Sequence, residues 1–181
     1  MLDHVQHRCR PVRLEDRAFI DAIRANAGHT LSAHAFSSLF LWQKALQLSV
    51  CLDEDAFFVR FAHRGENAWF YPCGSQAAQA AFLQAGLDSP DFSVHYVRRE
   101  DMDFVHAHFP GRFRFEETQG DAEYICEREP QIQMQGGAYR NLRAKVRKAR
   151  ERHNWVIEPL GPENMDAAKE VLYRWESKRE R

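Results

Sequence analysis

Hydrophobic residues fall into short runs along this chain, and turn residues separate the runs. From residue 47 to residue 73, three runs rich in aromatic and β-branched residues are interrupted by acidic residues at 53–55 and by a turn around Gly65. This pattern predicts an antiparallel meander. Apolar residues at helical spacing predict helices on either side of it. The helices are expected at 14–25, 32–46, 76–86 and 100–109, and additional strands at 9–13, 92–97, 112–117 and 123–128.

The helix predicted at 32–46 is apolar on nearly every side, with Phe36, Leu39, Leu41 and Trp42 among its residues. A helix without a polar face belongs inside a protein, so we expect this one to be buried.

A glycine pair, Gly136 and Gly137, opens a basic run that extends to Arg152. The run contains seven Lys or Arg residues and one Glu, so it carries +6 in a chain whose formal net charge is −1. Its apolar residues are spaced as one stripe of an amphipathic helix. The stripe consists of Tyr139, Leu142, Val146 and Ala149. We therefore predict a helix that packs through this stripe and presents its cations to an anion.

The last predicted elements are a strand at 154–160 and a helix that runs from about residue 163 to the terminus. They repeat the strand–helix order of residues 9–25, which suggests that a second domain of the same fold begins here. We predict an α+β chain with an N-terminal domain at 1–135, a basic connecting helix at 136–153 and the start of a second domain at 154–181. The final helix has no later strands to cover its apolar face, so we expect a truncated chain and a tendency to form homo-oligomers through this helix.

Six segments, taken in order, resemble one protein family. They are FSSLFLW at 36–42, AFFVR at 56–60, WFYPCG at 69–74, FPGRF at 109–113, DAEYIC at 121–126 and YRNLRAKVRK at 139–148. Together they resemble the cytosolic C-terminal domain of the phosphatidylglycerol lysyltransferases and its stand-alone relatives. The basic helix and the strand after it are also similar to the Fem-type aminoacyl-tRNA-dependent transferases. The order of helices and strands is similar to that of a GNAT acyltransferase.

The resemblance implies a mixed, mostly antiparallel GNAT-like sheet flanked by helices, followed by the first strand and helix of a second GNAT-like domain. It implies transfer of an activated acyl group, with acyl-CoA or aminoacyl-tRNA as the donor, to an amine or a hydroxyl. In such tandem families the second domain carries the better-formed sites. We therefore expect this chain to be the N-terminal half of a transferase, inactive alone, and assign it no catalytic residue. The alternative is a non-catalytic module that binds RNA or another polyanion through residues 139–152.

The candidate binding residues lie at the start and on the basic face of the predicted helix. Backbone N–H groups of the glycine pair are suited to cradle a phosphate, although a glycine pair also serves as a flexible entry to a helix. The residues predicted to bind tRNA, another polyanion or a cofactor phosphate are Gly136, Gly137, Arg140, Arg143, Lys145, Arg147 and Lys148. A solvated helix whose charges pair with the acidic remainder of the chain is the competing interpretation.

The sequence offers little support for other chemistry. Cysteines without CxxC spacing and histidines without ligand spacing predict neither a metal site nor a tightly bound cofactor. Cys51, Cys73 and Cys126 stand in apolar surroundings and are expected to be buried free thiols. No secretory signal and no membrane-spanning run is recognisable, which favours the cytoplasm.

Four residues are of types that could serve as a general acid or base. They are Glu116, Glu117, Glu123 and Tyr124. Strand-end charges and a core tyrosine are the simpler interpretation.

Overall fold

A computed structural model describes residues 2–63, 66–89, 91–117, 123 and 126–179. Contacts along the chain divide it into two compact units, Met1–Tyr124 and Ile125–Arg181, and each unit is described by itself. The domain boundaries expected from the sequence stay a prediction.

The first unit contains a sheet of five strands. They are β1 (Ser49–Leu52), β2 (Ala56–His63), β3 (Glu66–Phe70), β4 (Cys73–Gly74) and β5 (Val94–His95). The strand order is β1-β2-β3-β5, and β4 pairs with the beginning of β2. Strands β1, β3 and β4 are antiparallel to β2, whereas β5 is parallel to β3. The predicted meander and the predicted mixed, mostly antiparallel sheet are therefore confirmed.

The alternation of side chains along β2 supplies two cores. Phe57, Val59 and Phe61 enter one core, and Ala56 and Phe58 enter the other. Successive side chains of a strand point to opposite faces of the sheet. Both faces of this sheet are consequently apolar, and helices must cover both.

Four helices provide this cover. They are α1 (Leu2–Arg8), α2 (Arg17–Asn26), α3 (Phe36–Trp42) and α4 (Gln76–Gly86). Ile20 of α2 and Leu39 of α3 pack in the core that contains Phe57. Val5 of α1 and Phe82 of α4 pack in the core that contains Phe58. The first unit is thus an α+β fold with helices on both sides of the sheet.

A further helix, α5 (Arg99–His108), completes the first unit. Its Val105 packs in a third apolar cluster with Tyr71, Leu83 and Phe109. The helix at 76–86 lies where it was predicted, and the hydroxyl of Ser75 caps it by accepting a 3.1 Å hydrogen bond from the Ala78 N–H.

The prediction of one long buried helix at 32–46 is wrong in part. A short 3₁₀ turn, Ser32–His34, precedes α3, and the chain turns after Trp42. Gln47 adopts a left-handed φ of 51° just before β1. Leu41 and Trp42 in the last turn of α3 are 73% and 55% exposed, so α3 buries only the side that carries Phe36 and Leu39.

Two strands predicted for the first unit, at 9–13 and 112–117, do not form, and a third, at 123–128, lies partly outside the described residues. Only Arg10 of the segment 9–13 bridges to the sheet, at Val50, and no strand forms at 112–117. The segment expected as a strand at 123–128 leads into a helix, α6 (Arg128–Gln133), although residues 124 and 125 lie outside the described part. Pro130 falls in the first turn of α6, where its missing N–H has no intrahelical partner to lose.

The second unit consists of α6, a 3₁₀ turn (Gly137–Tyr139), α7 (Arg140–Arg152) and α8 (Met165–Arg179). The predicted basic helix and final helix are confirmed. The predicted first strand of a second domain is not, because residues 154–160 pair with no strand of the described chain. Val156 and Ile157 in this segment are 77% and 88% exposed. A strand requires a neighbour for its backbone hydrogen bonds, and the described residues supply none here.

Candidate functional site

Helix α7 separates apolar from basic residues as the sequence predicts. Tyr139, Val146 and Ala149 are half-buried, and Leu142 is 44% exposed. The Lys and Arg residues of the helix are all exposed. The apolar stripe is therefore partly covered, while the cations face solvent.

Arg143 has a structural role at the glycine pair. Its Nη1 donates to the carbonyl oxygens of Met134 and Gly136, the latter at 2.8 Å. Gly136 has a φ of 81°, a left-handed conformation that favours glycine. The loop before α7 is thus held by a side chain of α7, and the Arg143 guanidinium is already engaged with two carbonyls.

The other predicted cations are held less firmly. Arg147 lies 3.8 Å from the carboxylate of Glu151, and both side chains are exposed, so this pair is weak. Among the residues that the structure describes, Arg140, Lys145 and Lys148 have no carboxylate within ion-pair distance. These three cations are available to an external anion.

Lys145, Lys148 and Arg152 form one row along α7. Residues at positions i, i+3 and i+7 lie on the same side of an α-helix. Seven residues of rise place the ends of this row about 10 Å apart. A row of this length matches an extended polyanion better than a single small anion.

A shallow groove runs beside the opposite edge of the basic face. Arg143, Arg147 and Arg150 line it together with Met134, Val146 and Glu151. Three arginines outnumber the one carboxylate in this groove, so it is a secondary candidate for an anionic ligand with an apolar portion.

The arginines of the first unit contrast with those of α7. Arg10 donates two 2.7 Å hydrogen bonds to the carboxylate of Asp16, and Arg98 makes the same kind of double contact with Asp101 at 2.9 and 2.8 Å. Asp16 and Asp101 are each only 4% exposed. Hydrogen bonding from Arg10 holds the pKa of Asp16 below its usual range. These charges stabilise the fold and are not free to bind a ligand.

A buried histidine pair, His29 and His34, lies in the first unit and was not identified from the sequence. The ring centroids are 3.9 Å apart, and the residues are 4% and 0% exposed. His34 Nε2 donates to the carbonyl of Tyr71 at 2.8 Å. Both ring nitrogens of His29 and the Nδ1 of His34 have no hydrogen-bond partner among the described residues.

Burial lowers the pKa of both histidines. Desolvation is the main cause, and the charges of Arg98 and Arg24 add to it. The pKa of His29 falls to about 2 and that of His34 to about 4. Both rings are therefore neutral at physiological pH.

Three charged side chains hold the segment that contains these histidines. Arg24 donates to the carbonyls of Thr30 and Leu31, and Arg98 donates to the carbonyl of Gly28 at 3.0 Å. The carboxylate of Glu123 accepts 2.8 and 2.9 Å hydrogen bonds from the N–H of Ser32. We call residues 28–34 the histidine segment.

Glu123 was considered from the sequence as an acid or base. Partial burial acts to raise its pKa, but the hydrogen bonds from Ser32 and Ala33 outweigh burial and lower the pKa. A carboxylate with a lowered pKa that caps backbone N–H groups is a structural anion, not a proton donor. Glu116 and Glu117 are exposed, and Tyr124 lies outside the described residues.

Cys51 and Cys73 are buried free thiols as predicted, but Cys126 is exposed, so its predicted burial is wrong. Among the described residues Cys126 belongs to no strand and lies just before α6. Within the described ranges, no three His, Cys, Asp or Glu side chains are grouped to hold a metal ion. None of the described helices is long and apolar enough to span a membrane.

The mixed sheet with helices on both faces defines a GNAT-like α+β fold. Residues 24–181 match the sequence model of the family described as phosphatidylglycerol lysyltransferase, C-terminal. The chain belongs to this acyltransferase-like family, and the resemblance inferred from its short segments is confirmed.

A solved structure shares the fold. It is the crystal structure of a conserved protein of unknown function from Bacteroides thetaiotaomicron VPI-5482, with a TM-score of 0.82 and 20% sequence identity. The match covers 95% of this chain and 60% of that one. The chain thus spans about 60% of the length of the protein that it resembles. A search among curated proteins gives no match.

Proposed function

We propose that this chain is part of an aminoacyltransferase and that α7 holds the tRNA of an aminoacyl-tRNA donor by its phosphate backbone. Membership of the lysyltransferase family supports the reaction class. The observation that carries the tRNA assignment is the row formed by Lys145, Lys148 and Arg152, for which the described residues provide no acidic partner.

Physical chemistry favours a nucleic-acid backbone as the ligand of this row. Cations that meet phosphates release condensed counterions, which supplies most of the affinity of non-specific binding. The row contains no aromatic residue on which a base could stack, so contact with the backbone is the chemistry that these side chains offer. The donor would then be recognised by its charge and shape rather than by its sequence.

The test is a binding titration of tRNA with the 181-residue chain, followed by fluorescence anisotropy between about 50 and 200 mM salt. The variant Lys145→Glu/Lys148→Glu reverses two charges of the row. We expect its affinity to fall by at least about tenfold and the slope of log K against log salt to decrease by about 1 for each lost phosphate contact.

A matched control is available in the same unit. Lys169→Glu/Arg174→Glu makes the same charge change on α8, where Lys169 faces Asp166 and Arg174 faces Glu170. We expect this control to bind within about twofold of the unmodified protein, apart from the general effect of net charge. Equal losses in both double variants would show that only net charge matters and would refute the assignment to α7.

The second candidate is a non-catalytic module that binds any polyanion. The exposed, unpaired row fits that function as well. Equal affinity for heparin and for tRNA, together with no discrimination between aminoacylated and uncharged tRNA, would favour the module over the transferase.

A further inference from the structure

We propose that Cys9 and Cys51 form a thiol pair that a two-electron oxidant converts into a disulfide, which ties α1 to the edge of the sheet. Both thiols are free in the structure. The proposal is independent of tRNA binding, because both residues belong to the first unit.

The register of the chain places the two residues opposite each other. Arg10 and Val50 exchange both backbone hydrogen bonds, at 3.1 and 2.8 Å, in an antiparallel bridge. This bridge is isolated, and continuing its register by one residue pairs Cys9, which directly follows α1, with Cys51 at a non-hydrogen-bonded position. Cα atoms at such positions are about 4.5 Å apart, which is within the range that a disulfide spans.

The side chains also lie on the same face of the sheet. The Cys9 thiol donates to the Val5 carbonyl at 3.4 Å, and Cys9 packs against the core that contains both Val5 and Cys51. Cys9 is therefore directed at the face that carries Cys51.

Helix α1 is already held at this position. The Arg8 guanidinium donates to the carbonyl of Leu52 at 3.0 Å, and Val5 is buried beside Cys51. A disulfide at residue 9 would thus require little movement of the backbone. It would close a long loop that contains α2, α3 and β1.

The chemistry balances with a peroxide as oxidant. Cys9 is the more accessible thiol, because Cys51 is only 1% exposed. The Cys9 thiolate attacks one oxygen of hydrogen peroxide, and the O–O bond breaks to give a sulfenic acid and water. The Cys51 thiol then attacks the Cys9 sulfur, a second water leaves, and two thiols and one peroxide have become one disulfide and two waters.

Burial makes this reaction slow at neutral pH. Desolvation, with a contribution from Cys51, raises the pKa of Cys9 to about 11, and desolvation also raises the pKa of Cys51. Only the thiolate is nucleophilic. As long as the pH is below that pKa, the rate of oxidation should therefore rise about tenfold for each unit by which the pH is increased. The pair would respond to sustained oxidation rather than to a brief pulse.

The experiment uses the full chain with Cys126→Ser, which removes the exposed thiol and its intermolecular reactions. The protein is reduced, exposed to hydrogen peroxide at several pH values, alkylated after denaturation and mapped by mass spectrometry. We expect a peptide pair linked through Cys9 and Cys51 that has lost two hydrogen atoms. The melting temperature should rise by roughly 5–15 °C and return to its initial value after reduction.

Cys9→Ser in the same background is the control, chosen because Cys9 is only partly buried and its loss should leave the fold intact. This variant should show neither the linked peptides nor the rise in melting temperature. Separate alkylation of Cys9 and Cys51 after complete reaction of the peroxide would overturn the proposal. So would a disulfide that links either residue to Cys73 or to another chain.

Discussion

Acid should destabilise the first unit through the buried histidine pair. In the folded protein the pKa values of His29 and His34 are about 2 and about 4, compared with 6.5 for an unperturbed histidine. As the pH falls below 6.5 the unfolded chain takes up a proton at each histidine, whereas the folded chain takes up none at His29 and none at His34 until the pH approaches 4. Since the unfolded state binds more protons, the free energy of unfolding must fall as the pH falls.

The size of the fall in unfolding free energy follows from the difference between the folded and unfolded pKa values of the two histidines. Each histidine loses about 1.4 kcal/mol of stabilisation for every pH unit below its unfolded pKa. From pH 8 to pH 5 the pair together should lose about 4 kcal/mol, a large part of the 5–15 kcal/mol that a typical domain has. Asp16 and Glu123, whose pKa values are lowered, lose stabilisation at lower pH, so measurements at pH 5 and above isolate the histidines.

The surroundings of the pair explain why protonation is so unfavourable. Arg24 and Arg98 both act to keep His29 and His34 neutral, whereas Asp101 favours a proton on His34. Asp101 is already engaged by Arg98 through two hydrogen bonds. A charged His29 would thus be a buried cation among other cations, with both ring nitrogens lacking an acceptor.

The assay is urea denaturation between pH 5 and pH 8, monitored by tryptophan fluorescence. Replacing Trp155 and Trp175 by Phe confines the signal to Trp42 and Trp69, which lie in the first unit. His29→Leu should reduce the pH dependence by about half and cost little at pH 8, because both ring nitrogens of His29 are unpaired. His153→Gln, at an exposed position of the second unit, serves as the control.

Two results would refute this reasoning. One is an unfolding free energy that stays constant from pH 8 to pH 5. The other is an unchanged pH dependence in His29→Leu, which would assign the effect to different groups.

Two further substitutions test how the first unit is held together. Asp16→Ala removes a buried carboxylate that accepts hydrogen bonds from Arg10 and from the Arg13 N–H. Urea denaturation should show that the free energy of unfolding falls by about 3 kcal/mol, and a fall below about 1 kcal/mol would mean that the Arg10–Asp16 pair is solvated. Gly74 has a φ of +153°, and in Gly74→Ala the added methyl group lies 2.4 Å from both the Ala56 Cβ and the Asp55 carbonyl oxygen. We expect urea denaturation to show that the free energy of unfolding falls by more than about 2 kcal/mol. Gly28→Ala is its control, since it shares a positive φ of +58° but meets nothing within 4 Å, and equal losses would show that φ alone decides the cost.

Local patterns predicted much of the fold. The meander, α4 and α7 follow from alternation, caps and helical spacing over a dozen residues or fewer. The sequence of β2 also indicates that both faces of the sheet are apolar, since Phe57 and Val59 enter one core and Phe58 enters the other.

The histidine pair could not be predicted, because its environment comes from distant parts of the chain. Arg98 is 70 residues from Gly28, and Glu123 is 91 residues from Ser32. In the sequence His29 follows a glycine between two predicted helices, which indicates only a loop. The strand predicted at 112–117 does not form for a related reason. Whether an apolar run becomes a strand depends on a free sheet edge beside it, which periodicity does not reveal.

Charge has two separate uses in this protein. In the first unit, Arg10 and Arg98 are committed to buried carboxylates, so any substitution there acts on stability. On α7, Lys145 and Lys148 are exposed and have no ion-pair partner within the described residues, so their reversal should leave unfolding of the first unit unchanged. The pH dependence of unfolding is therefore measured for Lys145→Glu/Lys148→Glu as well. If it matches that of the unmodified protein, a loss of tRNA binding in this variant can be assigned to the surface of α7. A variant that lost both properties would instead show that α7 contributes to the stability of the first unit, and the binding loss could not be assigned to direct contact with phosphate.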